Sequence, residues 1–268
     1  MSNPITIPKP ESEVVSYFTM RKTIGWMGMS LPFLLLGGNY LLNTAGVFTN
    51  KLYVRLHDTY LYENEGSLKS SVSHYYYTTV GEVFTGVLFA VALFMICYTG
   101  HPKRKEDRGL SDNAMTNLAG FFALGVIAFP TSSDSIMKDN LRLFISSETI
   151  GYIHFGFALL FFVDLAIMSM VNFRRAANPA LFGKGEDDPF YLKCGIIMIA
   201  CIVLIPICAS IEAFKSVPTT FILEAVALIF FGLSWLKKGK ADFAYIPKKV
   251  MSIIKPGSED ATQDPVTK

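Results

Sequence analysis

Six stretches of this chain are apolar all the way round a helix, and each is about as long as a bilayer is thick. They run from Thr23 to Phe48, Thr79 to Thr99, Asn113 to Pro130, Ile150 to Val171, Cys194 to Ile211 and Thr219 to Leu236. A helix crosses the hydrocarbon core in about 20 residues, with a working range of roughly 17–25. Membrane-spanning β-strands would alternate in segments of about 10 residues, and these runs are continuous. Lipid offers no hydrogen-bond partner to open backbone groups, so the segments must be helical. Charged residues make up 17% of the sequence, against about 25% in soluble domains, and they crowd between the apolar runs. The expected fold is all-α, a polytopic transmembrane bundle of six helices. It divides into an N-terminal segment 1–22, a membrane domain 23–238 and a basic tail 239–268 that ends in disorder-prone composition. Pro206 is expected to kink the fifth helix.

Lysine and arginine set the expected orientation. With the N-terminus inside, 18 of the 24 Lys and Arg residues fall in cytoplasmic segments. Both ends are therefore expected in the cytoplasm, with Trp26 and Trp235 at the inner interface as amphipathic anchors. The first 20 residues are polar and carry Pro4, Pro8 and Pro10, which does not read as a cleavable signal peptide. The tail mixes Lys248, Lys249 and Lys255 with Phe243, Tyr245, Ile253 and Ile254, a composition suited to an anionic inner leaflet.

Several function classes drop out. A net charge of +2 gives no argument for nucleic acid. No P-loop or dinucleotide-binding glycine fingerprint is present, so no cofactor is assigned. All four cysteines (Cys97, Cys194, Cys201, Cys208) lie in apolar spans, which argues against a disulfide framework. Cys194, Cys201 and Cys208 share one helix stripe and read as packing residues. Ala119 and Ala123 stand at a spacing that lets two helices approach closely. No internal repeat supports an inverted-repeat transporter.

Ionisable side chains inside a span are costly and point to function. Four stand out: Glu82, His154, Asp164 and Glu224. Glu82, His154 and Glu224 lie near the starts of the second, fourth and sixth helices, roughly 5–8 Å below the outer interface at a rise of about 1.5 Å per residue. His74, Tyr77 and Asp134 belong to segments leading into or out of the same level. Together these six residues are the candidate ligand-binding set, a polar pocket open to the outer leaflet that would share a proton, hold a cation or grip a lipid head group. The competing reading is hydrogen bonding that merely pins helices together. The histidines lack metal-ligand spacing, and no metal is expected. Asp164 sits about 15 Å deeper than His154. Asn39, Asn43 and Asn117 are its candidate partners, in either a relay or a single interhelical bond.

Several segments resemble an uncharacterised family of small bacterial six-helix integral membrane proteins. They are Ser73-His74-Tyr75-Tyr76-Tyr77-Thr78 leading into Glu82-Val83-Phe84-Thr85-Gly86, Ala119-Gly120 through Phe129-Pro130-Thr131, His154-Phe155 with Phe161-Phe162, and Cys194-Gly195. The run Glu224-Ala225 through Phe231-Gly232-Leu233-Ser234-Trp235, ending Lys237-Lys238-Gly239, completes the likeness. It spans Arg21 to Gly239 and implies a multi-pass protein of the bacterial cytoplasmic membrane. The family's pattern has histidine where Tyr77 stands, arginine at Gly81 and aspartate at Glu82, so an external active site of the family would lack two polar groups here. The resemblance implies no particular activity. Three classes stay open: a binding or transport protein with an outward polar pocket for a lipid head group, a small solute or a proton; a lipid-acting membrane enzyme; and an accessory subunit without chemistry.

Overall fold

The computed structural model describes residues 11–44, 68–100, 103, 105, 109–132, 147–175, 189–214 and 217–239. These form helices α1 (Glu11–Thr44), α2 (Gly81–Ile96), α3 (Asp112–Ala128), α4 (Ser147–Ile167), α5 (Pro189–Ser210) and α6 (Thr219–Lys238). A π turn, Met168–Asn172, extends α4, and short 3₁₀ turns stand at Ser73–Tyr77 and Glu212–Phe214. Among the described residues there is no strand. The last three helices, counting α4 with its π turn, are long and apolar enough to cross a membrane, and α2 is as apolar but shorter. The chain is an all-α, polytopic membrane protein built as a six-helix bundle.

Each helix packs on the next in chain order, and α1 packs along α6, so the bundle closes as a ring. Small residues bring the axes together. A Cβ on Gly120 would lie 2.9 Å from the Ala92 carbonyl oxygen, and one on Gly195 would lie 2.8 Å from that of Ala166. Gly25 and Gly232 face each other across the α1–α6 seam that closes the ring. Ala119 and Ala123 are fully buried, as their spacing predicts, and so is Cys194, with Cys201 nearly so. All four cysteines are free thiols.

Two expectations change. The helix of α1 begins at Glu11 rather than near Thr23, and α5 at Pro189 rather than Cys194, because a polar stretch that leaves the bilayer need not leave the helix. Trp235 is not an interfacial anchor: it is 1% exposed, packed by Tyr98 and Phe173 with ring centroids 5.2 Å away in both cases. Trp26, by contrast, faces outward. The basic tail beyond Gly239 and the long loop 45–67 lie outside the described residues.

The Trp235 end of the bundle is sealed by polar groups from all six helices or the residues just beyond their ends. Arg21, 2% exposed, donates from Nε to the Tyr98 hydroxyl at 2.9 Å and from NH1 to the Lys238 carbonyl at 3.1 Å. Lys238 in turn donates to the Phe173 carbonyl at 2.7 Å. Ser111 caps α3 by accepting from Ala114 N–H at 3.1 Å. That cap sets Asp112, 1% exposed, where Asn172 donates to it at 2.9 Å and Arg175 lies 3.6 Å away. The π turn contributes here by placing Asn172, and within the same turn Ser169 donates to the Tyr191 carbonyl of α5 at 2.9 Å. Gly100 is required on the same spot: its φ of +66° is left-handed, and any Cβ would collide with Asp112.

Candidate functional site

The opposite end holds a cavity. The 3₁₀ turn Ser73–Tyr77 and the residues before it lie across this end of the ring and are fastened to α6 and to the end of α3. The first turn of α6 has backbone donors with no partner in its own helix. One of them, Phe221 N–H, donates to the Ser70 carbonyl at 2.8 Å. Glu224, one turn further on, accepts from Val72 N–H through Oε2 at 2.6 Å. The Tyr77 hydroxyl donates to the Thr131 carbonyl beyond α3 at 2.7 Å. Tyr75 is fully buried among apolar side chains beside Phe221, and burial pushes its phenol above its ordinary value.

His154 reaches this end from the second turn of α4, and a proline explains why it is held so firmly. The Val126 carbonyl would accept from residue 130 if α3 continued, but Pro130 has no N–H. His154 Nδ1 takes that place, at 3.2 Å from the Val126 carbonyl and 2.7 Å from that of Phe129. Carbonyl oxygens only accept, so Nδ1 carries the proton and Nε2 of the neutral ring keeps its lone pair. His74 is bonded through Nδ1 to the Ser71 hydroxyl at 2.7 Å.

The cavity, of about 170 Å³, lies between α4, α5, α6 and the crossing segment, with His74, His154 and Glu224 all in its wall. Ser71, Ser73, Thr131 and Thr220 add hydroxyls. The remaining wall is apolar: Phe155, Leu159 and Phe162 from α4 face Ile202 and Ile205 from α5. Phe155 and Leu159 are also exposed on the outside of the bundle, so the wall runs continuously onto its apolar outer surface. No lining residue is lysine or arginine. Among the described residues no three His, Cys, Asp or Glu side chains stand together as a metal site.

The structure thus gathers three of the six candidate residues and sets others apart. Glu82 shares the level but not the cavity: it is exposed, because the buried stripe of α2 is Gly81, Phe84, Leu88 and Val91, and position 82 is rotated off it by about 100°. Tyr77 is buried as a brace to Thr131 and does not line the cavity. Asp134 lies outside the described residues. Asp164 is 5% exposed, and among the described residues its Oδ2 has no hydrogen-bond partner. Asn117, one candidate partner, is instead exposed and bonded to Asn113. The hydroxyls of Ser71, Ser73 and Thr220 were not foreseen in the site; a serine in a loop gives no sign of which helix end it will cover. No protein-family model matches the chain, and neither the curated proteins nor the solved structures hold a significant match to it.

Proposed function

We propose that this protein binds the polar head of a lipid or small amphiphile in the cavity at the His74 end, and that this end faces the outside of a bacterial cytoplasmic membrane. The observation that carries the reading is one continuous wall, polar where His74, His154 and Glu224 line it and apolar where Phe155 and Leu159 turn onto the bundle's outer face. A head group would sit among the polar side chains and its chain would run down between α4 and α5 into the bilayer. The volume fits this: about 170 Å³ is well under the roughly 300–1,000 Å³ of pockets that engulf a whole drug-sized ligand.

Binding is favoured over conduction. The cavity wall ends at Phe162 on α4, Asp164 is not part of it, and the Arg21–Trp235 end is packed and hydrogen-bonded shut. Both termini would then be cytoplasmic, in keeping with the lysine and arginine distribution, with the basic tail against anionic inner-leaflet lipid. Membership of the bacterial six-helix family belongs to the same proposal. An enzyme would add turnover of the bound lipid, and an accessory subunit would need no occupant at all.

The test is native mass spectrometry of protein released from its own membranes. Wild-type protein should carry a retained amphiphile. Ala158→Phe, which fills the cavity from its apolar wall, should lose it while keeping its fold. Equal retention by both proteins would overturn the proposal.

A further inference from the structure

The polar part of the cavity is rich in acceptors and has no fixed positive charge. We infer that its occupant presents a primary ammonium group, an inference that rests on the pocket binding an amphiphile at all. The committed atoms decide this. His154 uses Nδ1–H on the Val126 and Phe129 carbonyls, which leaves Nε2 as an acceptor. Glu224 uses Oε2 on Val72 N–H, and among the described residues Oε1 makes no second hydrogen bond. Thr220 stands four residues before Glu224 on α6, so its hydroxyl and the carboxylate lie on one face of the helix.

An ammonium brings three N–H donors and one positive charge. It matches two uncommitted acceptors and a hydroxyl, and it neutralises the carboxylate where no lysine or arginine does. A phosphate or carboxylate head would bring a second acid group against Glu224, find only an acceptor at His154 Nε2, and meet no lysine or arginine. A sugar or alcohol would supply donors but leave the carboxylate without a counter-charge in a half-apolar wall. A trimethylammonium head carries the charge but has no N–H to give, and only Phe155 and Phe162 line the cavity as aromatic faces, both on one helix.

The experiment uses the full chain in phosphatidylcholine nanodiscs and four photoreactive probes with the same alkyl chain, ending in a primary amine, an alcohol, a trimethylammonium or a phosphate. Labelling is mapped by mass spectrometry at Phe162, Ile202 and Ile205. The amine should label these positions roughly tenfold or more above the other three, the span of one charge-assisted hydrogen bond. Glu224→Gln should remove that preference. Glutamine keeps an oxygen for Val72 N–H, so the crossing segment stays fastened and the loss reports the charge. Equal labelling by all four probes would overturn the ammonium inference and leave the amphiphile pocket standing. Labelling no stronger in the cavity than at Val203 and Ile207 on the exposed face of α5 would overturn both. A photoreactive phosphatidylethanolamine separates the sources: labelling identifies an aminolipid of the bilayer, whereas labelling by the free amine alone identifies a soluble amine, and either supports the ammonium class.

Discussion

Gly232→Ala should loosen the seam that joins the first helix to the last. A Cβ on Gly232 would lie 2.5 Å from the Gly25 carbonyl oxygen and 2.5 Å from Met29 Cβ. The first of these is backbone, which cannot rotate away. Restoring an ordinary contact of 3.4 Å requires α1 and α6 to part by about 0.9 Å. A gap of about 0.5–1 Å forfeits a quarter to a half of each dispersion contact across a seam, and overpacking of this kind costs about 1–3 kcal/mol. Gly37→Ala is the matched control: the same methyl in the same helix as Gly25 meets nothing within 4 Å. Alanine is better than glycine inside a helix by up to about 1 kcal/mol, so Gly37→Ala should be neutral or stabilising. Thermal unfolding can be followed by a thiol-reactive dye, because Cys194 and Cys201 are buried until the bundle opens; Cys97→Ser with Cys208→Ser removes the exposed and half-exposed background. Gly232→Ala should melt roughly 2–10 °C lower, and Gly37→Ala no lower than wild type. If the two substitutions melted alike, the reciprocal glycine contact, and with it the closed ring, would be wrong.

The same melts bear on three other residues. Asp164→Leu should leave stability unchanged or raise it by up to about 3 kcal/mol, since it removes a buried oxygen that has no partner among the described residues; a clear loss would mean the carboxyl is bonded or used. Tyr98→Phe removes the hydroxyl that accepts from Arg21 Nε and should cost about 1–3 kcal/mol, whereas Glu82→Gln, exposed and away from the cavity, should stay within about 0.5 kcal/mol and leave retained amphiphile unaltered. For orientation, in a Cys97→Ser, Cys208→Ser background Leu68→Cys should react with an impermeant maleimide on intact cells and Lys105→Cys only after permeabilisation; the reverse pattern would invert the proposed topology.

What the sequence revealed follows from which forces act along the chain and which act across it. A bilayer forces every spanning segment to be helical and apolar, so the helices could be located by length and hydropathy. The shared depth of His154 and Glu224 was readable for the same reason, because depth is counted along a helix. Rotation about the helix was harder to read. Glu82 was placed with them by depth, but position 82 turns away from the stripe that runs from Gly81 to Val91. The seal was missed for another reason. Arg21 and Lys238 were counted as charges of cytoplasmic segments, where the positive-inside tendency explains them without any partner, and Asp112 was not singled out. One local signal existed: an acid directly after Ser111 at the start of an apolar run marks a capped helix end, and a buried cap asks what faces it. Nothing local announced that Val72 N–H would find Glu224, 152 residues away.

Helix phase also separates a pocket from a path. Asp164 is only two residues beyond Phe162, the deepest α4 residue in the cavity wall. Two residues turn a helix by about 200°, which carries Asp164 to the other flank of α4. It falls within about 20° of Phe157, seven residues earlier, and Phe157 packs against Gly125 of α3. A proton or solute leaving the cavity toward Asp164 would have to pass through α4 rather than beside it, and beyond Asp164 it would meet Trp235, Phe173 and the Arg21 bonds. Conduction would therefore need a rotation of α4 that breaks the two His154 carbonyl bonds and the Ser169 bond to Tyr191 together. Those bonds pin both ends of the helix, so in the proposed function the cavity would fill and empty toward the lipid with the rest of the ring closed.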